Sequence, residues 1–90
     1  MEERRRSIVR EHGFERELRS LIREALAADE FVEGAEFLLS GDPECGTVAD
    51  EGPPEVWVMP MAPVGNRSVW LFYSFDETTV RFLSIRAFAD

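Results

Sequence analysis

The hydrophobic positions of this 90-residue chain change period along its length. From Phe14 they recur at threes and fours, at Phe14, Leu18, Leu21, Ile22 and Ala25, with Glu15, Arg16, Arg19 and Arg23 between them, which predicts an amphipathic helix. Glu15 and Arg19 form an i,i+4 pair in the favourable orientation. His12-Gly13 reads as an interruption before it, since glycine weakens a helix interior by about 1 kcal/mol relative to alanine. A second stripe, Phe31, Val32, Ala35, Leu38 and Leu39, follows Asp29, a suitable N-cap, with Glu30 and Glu33 in the first turn and Gly41 and Pro43 at the end. Gly34 lies inside that stripe, where a small residue would let two helices approach closely. The short connection makes the pair an antiparallel helical hairpin.

The later pattern is that of strands. Residues 47–54, with Asp50, Glu51, Gly52 and two prolines, read as a loop. Residues 55–61 alternate before Pro60, whose missing N–H suits an edge strand or a strand end. Residues 62–65 turn the chain into its strongest signal, two β-branched and aromatic runs (residues 66–75 and 78–88) joined by Asp76-Glu77, a β-hairpin. Strict alternation puts Val69, Leu71, Tyr73 and Phe75 on one face of the first strand and Trp70 and Phe72 on the other. In the second strand it groups Arg81 with Leu83, Ile85 and Ala87, and Val80 and Phe82 with Ser84, Arg86 and Phe88. Residues 1–10 read either as a short strand carrying Ile8 and Val9 or as a helical turn, the strand being preferred. The predicted fold is a single α+β domain over residues 1–90, with an N-terminal strand and a helical hairpin packed on one face of a largely antiparallel three- to four-stranded sheet. Burial of Leu18, Leu38, Leu71, Leu83 and Ile85 is expected to contribute roughly 1.5 to 3 kcal/mol each before entropy is subtracted.

Composition narrows the chemistry. The net charge is -8 and every basic residue is arginine. Residues 1–28 hold seven arginines against six glutamates, whereas residues 29–90 hold three arginines against twelve acids. A nucleic-acid binder needs a cationic footprint, so nucleic-acid binding is not expected of the C-terminal two-thirds. One Cys and one His give neither an intrachain disulfide nor the usual zinc site, and no cofactor or metal is expected. The absence of a long apolar run or a leader-like N-terminus leads to the expectation of a cytoplasmic protein without a membrane segment. His12 beside a glycine reads as a solvent-facing or capping residue. The charge of Glu44 would raise the Cys45 thiol, and Glu30, Glu33 and Glu36 read as a solvated helix face.

The helical hairpin, the turn Asp42-Pro43-Glu44-Cys45-Gly46, the strand Val69-Trp-Leu-Phe-Tyr73 and the strand Val80-Arg-Phe-Leu-Ser-Ile-Arg-Ala87 together resemble the RelE/ParE superfamily of toxins from toxin-antitoxin modules. That resemblance implies a first strand, two helices, an Asn/Asp-Pro-Glu-x-Gly turn, then three strands, one of them aromatic and ending in Tyr. For RelE-like members it implies a metal-independent messenger-RNA endonuclease acting on the ribosome, with cations around the phosphate. The expected cations are missing here. The first set falls on Glu55-Val56-Trp57-Val58, the arginine of the aromatic strand falls on Trp70, and the ending is Arg86-Ala87-Phe88.

The catalytic candidates that remain are Arg67, Tyr73, Arg81 and Arg86. Arg67 reads as solvated at a turn, and Tyr73 as a core aromatic with its hydroxyl bonded at the rim. Arg81 and Arg86, five apart, face opposite sides of a strand unless a bulge intervenes. Two functions compete. One is a protein-contact module of ParE-like kind, with Trp57, Trp70 and Phe72 as contacts and a cognate antitoxin or another basic protein as partner. The other is a ribosome-dependent endoribonuclease built on a non-standard residue set. Self-association through the strand edge at residues 56–61 or the outer helix faces is a third expectation.

Overall fold

The chain, described here by a computed structural model over residues 5–89, runs β1 (Ser7–Arg10), α1 (His12–Leu21), α2 (Ala25–Gly41), a 3-10 turn (Pro43–Cys45), β2 (Thr47–Asp50), β3 (Val56–Val64), β4 (Arg67–Phe75) and β5 (Thr79–Ala89). Residues 1–4 of the expected N-terminal strand lie outside the described residues. Ser7–Arg10 resolves the open choice in favour of a strand.

The helices break earlier than the apolar spacing suggests. His12 and Gly13 open α1, in the first turn, where backbone N–H groups have no intrahelical partner and a glycine costs little. Ile22 leaves the helix with extended backbone while its N–H still bonds to Leu18 O at 2.8 Å. Ala25 therefore opens α2, whose N-cap position is Glu24 rather than Asp29. The reason lies in Ala28, which is fully buried and begins the true stripe of α2, Ala28, Val32, Ala35 and Leu39, spaced by fours and threes. Leu38, expected in the core, is 44% exposed, and Phe37 beside it is 69% exposed. A Cβ at Gly34 would meet nothing within 4 Å, so this glycine does not mediate a close helix contact.

All five strands form one sheet in the order β1-β5-β4-β3-β2. Pairing is antiparallel except at β1, which lies parallel to β5 with Ile8 opposite Val80. The fifth strand is β2: Thr47 and Val48 pair with Val58 and Trp57, in a stretch expected to be loop. Thr and Val at its start favour extended backbone, and only residues 51–55 remain as the connection. β3 runs on through Pro60, which lies beyond the part of β3 that β2 covers, on an unpaired edge where a missing N–H costs no ladder bond. A two-residue turn at Gly65 (φ 62°) and Asn66 then leads into β4.

The helices pack on the sheet. Phe14 and Leu18 from α1, the α2 stripe, Val69, Leu71 and Tyr73 from β4, and Val80, Phe82 and Ile85 from β5 form the core. Phe14 meets Phe82 edge-on at 5.3 Å. A bulge sets the facing of β5: Phe72 pairs with Ser84 but Tyr73 with Phe82, leaving Leu83 as the extra residue. Alternation restarts after it. Ile85 joins Val80 and Phe82 in the core, Leu83 is only partly buried, and Arg81, Arg86 and Phe88 point away from the helices. Among the described residues no helix is long and apolar enough to cross a membrane.

Candidate contact surface and the dispersed arginines

Tyr73 is a structural residue of the core. Its side chain is fully buried and its hydroxyl donates to the Pro43 carbonyl at 2.7 Å. A Cβ on Gly46 would run into the same hydroxyl and come within 2.7 Å of Val58 O, so only glycine fits there. The turn Pro43-Glu44-Cys45-Gly46 and Tyr73 are thus one packing unit. Burial, with the nearby Cys45 thiol, pushes the phenol up to about 12, far from a base that works near neutrality.

The three arginines stand apart from it and from one another. Arg67 opens β4, exposed, beside a cavity shared with Arg16 and Ser20 of α1. Arg81 lines a different cavity with Pro54 and Ser74, and its Nη1 lies 3.5 Å from Glu11 Oε1. Arg86 lines a third with Val56, Phe72 and Phe88; its Nε donates to Ser84 Oγ at 3.2 Å and lies 3.6 Å from Glu17 Oε2. The bulge at Leu83 corrects the expectation of opposite facing, because it turns Arg81 and Arg86 to the same side of the sheet. Each nevertheless has its own carboxylate, and their charges do not meet at one hollow.

The aromatic candidates divide as well. Trp57 lies on the helix side, with its ring 5.3 Å from Phe75 and its Nε1 donating to Glu55 Oε1 at 2.8 Å. Trp70 and Phe72 lie on the other face, joined by Phe88, which is 55% exposed. With Val56, Val58 and Pro60 they make an apolar sheet face that the helices do not cover. Strict alternation groups Phe88 with Val80 and Phe82; the bulge at Leu83 turns it instead to the face of Trp70.

The strongest charge cluster escaped the sequence reading. Arg10, the last residue of β1, donates through Nη1 to Asp29 Oδ1 at 2.9 Å and Glu15 Oε1 at 3.1 Å, and through Nε to Glu36 Oε2 at 3.1 Å. Partial burial would lower its pKa, but the hydrogen bonds it donates to Glu36, Asp29 and Glu15 outweigh that and hold it above the ordinary arginine value. The signal was an arginine on a β-branched strand ahead of two acid-bearing helices. Glu36, read as part of a solvated face, is committed to this clamp. Cys45 is exposed, and partial burial together with the charge of Asp42 pushes its thiol up, away from nucleophile chemistry. His12 is exposed at the start of α1. Among the described residues no three His, Cys, Asp or Glu side chains converge as metal ligands. No protein-family model, curated protein or solved structure matches the chain.

Proposed function

We propose that this chain is a RelE/ParE-like scaffold that acts by contact with a basic protein, a cognate antitoxin or a target, and not by cutting RNA. The observation that carries this reading is the commitment of Tyr73 to Pro43 together with the separation of Arg67, Arg81 and Arg86 into three cavities. In-line attack on a phosphate needs several cations around one gathering charge. The order strand, helix, helix, Pro-Glu-x-Gly turn and strands supports the resemblance, with the departure that four strands rather than three follow the turn. The contact surface is the apolar sheet face of Trp70, Phe72 and Phe88, where Arg81 and Arg86 are paired with Glu11 and Glu17, on a molecule of net charge -8.

The test is co-expression with the product of an adjoining small reading frame, followed by calorimetry at about 50 and about 300 mM salt. A complex that weakens with salt, and weakens further on Trp70→Ala or Phe88→Ser, is expected. A chain that forms no such complex, with growth unaffected by its expression, sinks the reading. The endonuclease alternative draws on one observation, the bulge that turns Arg81 and Arg86 to one face. It requires cleavage of ribosome-bound message that Arg81→Ala and Arg86→Ala both abolish.

A further inference from the structure

Only residues 79–82 of β5 pair with β1, so beyond the bulge the outer edge of β5 faces α1 instead of a strand. Glu17 supplies there what a neighbouring strand would: its Oε1 accepts from the Ile85 N–H at 3.3 Å and from Ser84 Oγ at 2.9 Å. In an antiparallel ladder, opposed residues alternate between bonding to each other and facing outward. The Ile85 amide faces outward, and the register runs unbroken from the pair Leu71–Ile85 to the pair Val69–Ala87, so the Ala87 amide faces outward too. Ala87 lines a cavity of 260 Å³ together with Ile85, with Arg16, Glu17, Ser20 and Leu21 of α1, and with Arg67 of β4.

The charge there is out of character for the molecule. Arg5, Arg6, Arg10, Arg81 and Arg86 all have hydrogen-bond or ion-pair partners. Arg16 and Arg67, like Arg19 and Arg23, have no side-chain partner among the described residues, and these two reach the same cavity from different elements. Glu17 also lines it, but its carboxylate is engaged by Ser84, Ile85 and Arg86.

We infer that this cavity binds a carboxylate carried on a short aliphatic body, which takes at Ala87 the place that Glu17 takes at Ile85. Guanidinium groups hold a carboxylate through paired N–H donors, with the Ser20 hydroxyl and the Ala87 amide as further donors. Leu21, Ile85 and Ala87 receive the hydrocarbon, which inorganic phosphate lacks. This site is independent of the protein-contact reading, since it lies at the helix-side edge of β5 and not on the Trp70 face. A free branched-chain acid and the C-terminal residue of a peptide share the chemistry.

The experiment is an amide-resolved NMR titration of the whole chain with isovalerate, acetyl-Gly-Val acid, acetyl-Gly-Val amide and inorganic phosphate. Saturable shifts at Ser20 and Ala87 with both acids and not with the amide are expected. Tighter binding of the peptide acid identifies a chain terminus as the source, and equal binding identifies the free acid. Arg16→Gln and Arg67→Gln should each weaken binding about tenfold, while Arg19→Gln on the same helix leaves it unchanged. The same spectra report whether each variant is folded. Phosphate binding as tightly as the acids, undiminished binding to both arginine variants, or no saturable shift below about 10 mM overturns the inference.

Discussion

Tyr73 and Gly46 are the residues on which the resemblance and the packing coincide. Removing the phenol oxygen leaves the Pro43 carbonyl buried without a donor, so Tyr73→Phe is expected to cost about 1–2 kcal/mol in urea unfolding. Gly46→Ala forces a methyl against that oxygen and against Val58 O, at about 1–3 kcal/mol. The two changes should be non-additive, with Gly46→Ala costing less in the Tyr73→Phe background, because one of its two collisions is gone. Additive costs would mean that the tyrosine hydroxyl and the turn do not touch. Arg10 makes a second prediction at this scale. Arg10→Met leaves Glu15, Asp29 and Glu36 facing one another and should destabilise by about 2 kcal/mol at neutral pH. Urea unfolding of the variant beside the parent protein checks it.

At the scale of elements, the β4–β5 hairpin shows both the reach and the limit of pattern reading. Its two runs, its acidic link and the inward set Val69, Leu71 and Tyr73 are legible from alternation alone. Asp76 fixes the link by accepting from Thr78 N–H, Thr78 Oγ1 and Thr79 N–H, which depresses its pKa below the usual carboxylate value. A depressed folded-state pKa gives stability that is present above the ordinary value of 3.8 and is lost as pH falls through the lowered one. Asp76→Ala should therefore flatten the acid limb of the stability profile, as read by fluorescence below pH 4. The bulge at Leu83 was not legible, because an extra residue leaves composition untouched and appears only once β5 is registered against β4. Deleting Leu83 would turn Ile85 outward and Arg86 inward, and the domain should fail to fold, whereas the partly buried Leu83→Ala should be tolerated at about 1 kcal/mol. A folded deletion variant would remove the basis for the facing of Arg86 and Phe88. The early helix break and β2 were hidden differently: Ala28 is too small to mark a stripe, and four residues of strand are set by their partner more than by their own preference.

Over the whole molecule, Arg5, Arg6 and Arg10 are structural rather than a cationic footprint. Arg5 donates to Phe37 O at 2.7 Å and Ser40 Oγ at 2.8 Å and lies 4.1 Å above the Phe37 ring, at the C-terminal end of α2 where a helix favours cations. Arg6 donates to Asp76 O at 2.6 Å and so fastens the far hairpin. In three dimensions these two arginines and Arg10 are spent on α2, α1 and the β4–β5 turn. The surface left is acidic, with Leu26 and Phe37 exposed on the helices, and sedimentation of the isolated chain decides whether those faces pair two copies. Finally, the parallel seating of β1 against β5 has a consequence for synthesis. The ribosome releases Ile8 long before Val80, yet the two are ladder neighbours, so the opening strand waits on the closing one and the sheet cannot be completed until β5 has left the ribosome. Nascent chains stalled ahead of Phe82 should stay protease-sensitive throughout, the helices included.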